Sequence, residues 1–180
     1  MPWHLAAIAW GFAEATVFFL VPDVLLTFTA IRFGMKTAFA LSATAAIGAV
    51  AGGAVMIAAA GHHAAAVTAI LDAIPAISPG MIAETRAEMI ENWPFAVFIG
   101  AVTGVPFKIF AVQSAVLQIA EEAFLSVAFA ARLARFVLAV LLARIAIAGL
   151  KRAGMEHRAA PAWFGFWCLF YVFYFSTMPN

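Results

Sequence analysis

The sequence predicts an all-α integral membrane protein in which two opposed re-entrant helical hairpins pack with about three transmembrane helices. Three observations predict it. The 180-residue chain is 66% hydrophobic and 11% charged, whereas a soluble domain is about half apolar and a quarter charged. Two apolar stretches are each broken by a proline with a charge beside it, Phe18-Phe19-Leu20-Val21-Pro22-Asp23 and Thr103-Gly104-Val105-Pro106-Phe107-Lys108. The charges between the apolar runs then fix which side each run begins and ends on.

Residues 3–33 form the first hairpin, interrupted at Pro22. They are too short for two crossings of ~20 residues each, so they are either one kinked span or two half-helices. Residues 37–61 contain no charge and include Gly48, Gly52, Gly53 and Gly61. They read as a spanning helix with a small-residue face for close packing. Residues 62–92 hold Asp72, Glu84, Glu88 and Glu91 against Arg86, so they read as an outer loop. Within it, 81–93 reads as an interfacial amphipathic helix.

Residues 93–120 carry the second break, at Gly104 and Pro106. Residues 123–149 are a span apart from Arg132, Arg135 and Arg144, and 161–178 are an aromatic, lipid-facing span. The loops around Arg32–Lys36 and 150–158 are basic and belong on the cytoplasmic side. With 37–61 running outward and 123–149 running inward, 93–120 begins and ends outside. That parity makes it a re-entrant hairpin. By analogy 3–33 enters from the cytoplasm, and the two tips point at each other.

Several classes are excluded. A net charge of +1 with no basic stripe argues against nucleic acid. Cys168 is the only cysteine, so no intrachain disulfide forms. The start Met1-Pro2-Trp3-His4 lacks a basic n-region, so no removable signal peptide is expected. No phosphate-cradling loop, G-x-S-x-G or H-E-x-x-H occurs, and the reading is not an enzyme. His62 and His63 lack further ligands, so no metal or cofactor is expected.

Five charged residues lie in apolar runs: Glu14, Asp23, Lys108, Arg132 and Arg135. Asp23 reads either as the N-cap of the second half-helix or as a buried carboxylate able to carry protons at a transport site. Glu14 either pairs with a structural arginine or sits beside Asp23 in a wet cavity. Lys108 either snorkels to the interface or offers a cation near the membrane interior to a phosphate, Asp23 or Glu14. Arg132 and Arg135 share one helix face. Two guanidinium forks there suit a phosphate, or else two ion pairs with Glu14 and Asp23. Arg144 reads as a topology anchor, and Glu121 and Glu122 as solvated. Paired proline breaks in two halves of a membrane protein point to a transport site.

The run Ala13-Glu14-Ala15-Thr16-Val17-Phe18-Phe19-Leu20-Val21-Pro22-Asp23-Val24-Leu25-Leu26 resembles the first motif of the DedA superfamily, also called VTT-domain or SNARE-associated membrane proteins. Gly48-Ala49-Val50-Ala51-Gly52-Gly53 resembles the glycine cluster of its next helix. Pro106-Phe107-Lys108-Ile109-Phe110, then Phe124 and Arg132-Leu133-Ala134-Arg135-Phe136, resembles the motif of the second half. The likeness is to the YqaA-like branch and covers roughly residues 10–140. Only Pro22 remains of the first motif's prolines, and Ala131 replaces a glycine.

The resemblance implies opposed re-entrant hairpins and a multi-pass protein of the bacterial cytoplasmic (inner) membrane. It implies movement of a phosphorylated lipid such as undecaprenyl phosphate or a phospholipid, with proton coupling proposed. By position, Glu14 and Asp23 match the family's acids, and Arg132 and Arg135 its basic pair. The expected partner is therefore a membrane lipid, and a homo-oligomer is compatible with it. The alternatives are a proton-coupled ion or small-solute transporter and a non-transporting membrane scaffold.

Overall fold

The computed structural model describes residues 2–177, and every regular element among them is helical. The helices are α1 (Pro2–Thr16), α2 (Asp23–Phe33), α3 (Met35–Asp72), α4 (Pro79–Thr103), α5 (Phe107–Val116), α6 (Glu121–Arg152) and α7 (Ala159–Thr177). A 3₁₀ turn, Glu156–Arg158, joins the last two. Three helical runs are long and apolar enough to cross a membrane: Met35–Asp72, Glu121–Arg152 and Glu156–Thr177. Residue 178 of the expected last span lies outside the described residues.

The first break follows from local backbone chemistry. The amides of Val17 and Phe18 both close on the Ala13 carbonyl, at 3.0 and 2.8 Å, and α1 stops. Pro22 has no N–H to continue a helix but suits the start of one, and α2 begins right after it. Asp23 occupies the first turn of α2, where a negative charge complements the helix dipole. The N-cap expectation for Asp23 is corrected here. Pro22 holds the cap position, and no side-chain capping bond forms. The carboxylate of Asp23 is turned to another helix.

Gly34 joins α2 to α3 without a loop, at φ 87 and ψ 173, a backbone state open only to glycine. α1 runs parallel to α3 with a constant offset. His4 Nδ1 meets Thr44 Oγ1 at 2.9 Å, 40 positions on. At the same offset Gly48 lies under the Ile8 carbonyl and Gly52 under Phe12. A Cβ on Gly48 would sit 2.2 Å from the Ile8 oxygen, so the glycine is what permits the approach. α2 brings the chain back: the Phe33 ring lies 5.2 Å from that of Trp3, at the start of α1.

The second half repeats the pattern. α4 ends at Gly104, whose left-handed φ of 91 caps it with an amide bond to Gly100 at 3.1 Å. Pro106 precedes α5, which folds back so that the Phe110 ring packs on Gly100. Phe107 packs against Gly53 of α3 and stacks on Phe124 of α6, with ring centroids 6.1 Å apart. Phe107, Phe110 and Phe124 anchor one core cluster; Leu26, Leu41 and Phe136 anchor a second among α2, α3 and α6.

Helix boundaries differ from expectation between residues 61 and 93. α3 does not end at 61. It bends at His63 (φ −142, ψ 52) and continues to Asp72. The expected outer loop is therefore mostly helix. α4 starts earlier, at Pro79, and bends at Asn92 (φ −158, ψ 82), where Asn92 Oδ1 accepts the Phe95 amide at 3.3 Å. The expected 81–93 helix is its first section, with Ile82, Thr85 and Met89 on the buried side.

α7 has no buried residue. Polar atoms tether it instead. The indole nitrogens of Trp163 and Trp167 both donate to Thr27 Oγ1, at 3.0 and 3.1 Å. The Val21 amide donates to the Tyr171 hydroxyl at 3.0 Å.

Candidate functional site

The two breaks meet. Lys108 Nζ, at the start of α5, donates to the Phe18 carbonyl oxygen at 2.7 Å. That carbonyl lies in the break between α1 and α2, where no helix hydrogen bond claims it. Lys108 is 2% exposed, so it does not snorkel to an interface. Neither Glu14 nor Asp23 pairs with it. It is a buried cation satisfied by a backbone carbonyl.

The remaining four charges form two separate pairs across α6. Arg132 pairs with Glu14 of α1, and Arg135 pairs with Asp23 of α2 at 2.9 Å. The i,i+3 spacing puts both guanidinium groups on one face of α6, and that face meets the first half of the chain. Glu14 is 5% exposed and Asp23 3%. The wet cavity shared by Glu14 and Asp23 is not what forms; each acid takes its own arginine, the structural alternative drawn from the sequence.

The Arg132 guanidinium also lies between two aromatic rings, 5.1 Å from the centroids of both Phe107 and Phe136. Ring faces attract a cation most where water is excluded. Arg132 thus ties α1, α5 and α6 together. The pairing is incomplete: Arg132 Nε and Asp23 Oδ1 are buried without a hydrogen-bond partner. Unmatched buried polar atoms are rare in native structures and call for an explanation.

A small cavity lies between the breaks. Glu14, Lys108, Arg135 and Tyr174 supply its polar lining, and Phe18, Val21, Gly104 and Pro106 bring both breaks to it. Its volume is about 30 Å³. A water needs roughly 10–15 Å³, so the space suits waters and not a phosphate group. Of the five expected residues, Glu14, Lys108 and Arg135 line it. Arg132 and Asp23 stand behind, each held to a lining residue by its ion pair. Pro22, Gly104 and Pro106 shape the breaks as expected for chain-stopping residues.

Sequence reasoning missed three contributors. Tyr174 reaches the cavity from α7, and the 73–78 connection supplies Ile74, Pro75 and Ile77. The Phe18 carbonyl is the third. No residue type signals these: one is backbone, and the others are apolar or aromatic within apolar surroundings. His62 and His63 gather no further ligands, and no group of three metal-binding side chains occurs among the described residues. Comparison with protein-family models, with curated proteins and with solved structures finds no match to this chain.

Proposed function

We propose that this chain is a divergent DedA-superfamily protein that moves a phosphorylated lipid, such as undecaprenyl phosphate or a phospholipid, across a bacterial cytoplasmic membrane. One observation carries the reading. Two proline-broken helices meet inside a bundle of apolar helices around five buried or half-buried charges. Charges at that depth are expensive and are kept where a membrane protein handles ions or headgroups.

The sign of the cluster favours an anionic cargo. Three cations (Lys108, Arg132, Arg135) face two anions (Glu14, Asp23). In the proposed cycle the α1–α2 and α4–α5 pairs are re-entrant hairpins, entering from the cytoplasmic and outer sides. Separation of their tips breaks the Lys108–Phe18 bond. A phosphate then meets Lys108 and Arg135, and Asp23 is released from Arg135. Arg132 follows when Glu14 is displaced or protonated. Return of the carboxylates to the arginines expels the phosphate, and no cofactor is required.

A second reading, a proton-coupled ion or small-solute transporter, is favoured by the size of the cavity, which suits water and not a headgroup. Reconstitution into vesicles separates the two. Lipid transport predicts translocation of labelled phospholipid or undecaprenyl phosphate. The rival predicts proton flux that is independent of the lipid supplied, with no lipid movement.

A further inference from the structure

α7 is attached differently from every other helix. It has no buried residue, whereas α1 to α6 each have several. It runs antiparallel to α2 and ends beside the first break. Trp163 packs on Phe28, with ring centroids 5.3 Å apart, and Phe175 packs on Phe19 at 5.4 Å. Among the described residues, its hydrogen bonds to the rest of the chain all go to the first half. Thr27 is their hub. Its hydroxyl oxygen accepts the N–H groups of Trp163 and Trp167, and its own proton goes to the Asp23 carbonyl at 2.6 Å. That uses every donor and acceptor position a hydroxyl has. The Tyr171 hydroxyl gives the Val21 amide the acceptor it lacks in the break. Three residues further on, Tyr174 forms part of the cavity wall.

We infer that α7 is a lateral gate, which swings away from α2 and opens the cavity between the breaks to the hydrocarbon core of the bilayer. In water the hydrophobic effect would press its aromatic side chains onto the protein. In lipid it does not, because acyl chains are as apolar as the side chains they replace. What holds α7 is then its hydrogen bonds and ring contacts, all on one side. The other walls are fixed. Both breaks and the 73–78 connection run directly into helices with buried faces, and Arg135 belongs to α6. Displacing α7 takes Tyr174 out of the wall. It also frees Trp163 and Trp167 to move toward the headgroup level, where indole N–H groups find partners. The same step uncovers the Val21 amide, so Thr27 and Tyr171 act as one latch. The purpose of the gate rests on the transport reading, since it lets a lipid keep its chains in the bilayer while its headgroup enters. The motion itself does not depend on that reading.

The test uses Cys168, the only cysteine of the chain, which is exposed on α7. Nitroxides on Cys168 and on Val55→Cys, an exposed position of α3, report the separation of the two helices by double electron–electron resonance in lipid vesicles. Two distances are expected. Thr27→Val keeps the shape of the side chain and removes the hub, and should raise the ratio of the longer to the shorter about fivefold, the scale of one hydrogen bond lost in a membrane. Tyr171→Phe should shift it in the same direction, and it carries the test if a thermal melt shows Thr27→Val unfolded. A single distance, unchanged in the variants, overturns the inference. A second arm locks the gate. In a Cys168→Ser background, Phe19→Cys and Phe175→Cys are joined by a short bis-methanethiosulfonate. Translocation of labelled phospholipid should be lost and should return on reduction. Undiminished translocation in the locked protein also overturns the inference. Two distances, with no lipid movement by the unlabelled wild type, remove the transport reading and keep the gate.

Discussion

Lys108 Nζ donates 2.7 Å to the Phe18 carbonyl, joining two helix breaks that are 90 residues apart in sequence. The bond lies beside the space of about 30 Å³ between the breaks, which Lys108 and Phe18 both line. Lys108→Met keeps the length of the side chain and removes the donor. The variant is expected to change global stability by less than about 1 kcal/mol, because loss of the hydrogen bond is offset by no longer burying an ammonium. Local opening is expected to rise. Hydrogen exchange at residues 17–21 and 104–105 should quicken several-fold, with the α3 amides unchanged. Unaltered exchange at both breaks would show that Lys108 does not hold them.

Arg132 and Glu14 are a buried pair with two aromatic rings on the guanidinium. Removing one partner strands the other charge, which costs roughly 3–5 kcal/mol. Glu14→Gln and Arg132→Met alone should each lower thermal stability in detergent by about that amount. The double variant should recover much of it, because no lone charge remains. Strict additivity of the two single losses would count against a coupled pair.

How much of this was legible in the sequence varies from residue to residue. Pro22 and Pro106 marked both breaks, because a residue with no N–H cannot continue a helix. The charged residues of the cluster stood out against apolar runs. The pairing of acids with arginines was foreseen only as one of two alternatives, because it depends on how α1, α2 and α6 pack. The Lys108 partner was hidden, since a backbone carbonyl has no sequence signature. The bend at His63 was equally hidden: an alanine-rich helix shows no apolar stripe from which a change of direction could be read. Asp23 read either as a helix cap, a role its residue type favours, or as a buried carboxylate; it is buried, and it pairs with Arg135.

Close packing of α1 on α3 rests on Gly48, where an added Cβ would lie 2.2 Å from the Ile8 carbonyl oxygen. That clash is with backbone and cannot be relieved by a rotamer. Gly48→Ala should therefore destabilise the protein by roughly 1–3 kcal/mol, measured as a lower midpoint in thermal unfolding. Gly61→Ala is the control, since nothing lies within 4 Å of its added Cβ. It should be neutral or stabilising, as alanine is the better helix former. Equal loss in both variants would mean that the α1–α3 contact is not the reason.

Gln118 adopts φ 56 just beyond α5, where the Ile119 amide bonds to the Ser114 carbonyl at 2.9 Å. Glycine reaches that conformation without the Cβ penalty. Gln118→Gly should raise stability by up to ~1 kcal/mol, the relief being reduced by the greater freedom of the unfolded chain. A higher unfolding midpoint is the expected result, and an unchanged or lower one would show that Gln118 is not strained.

The central claim is that the charges between the breaks handle a phosphate and do more than hold helices together. The Asp23→Asn/Arg135→Gln double variant tests it most directly. It removes both charges of the half-buried pair at once, so no stranded charge is left to unfold the protein. The measurement is the translocation rate of labelled undecaprenyl phosphate and phospholipid in reconstituted vesicles, beside a thermal melt confirming the fold. The account predicts a folded protein whose lipid translocation falls by about tenfold or more, the scale of one lost charge-assisted contact to phosphate. A folded double variant that moves lipid at the wild-type rate would contradict it.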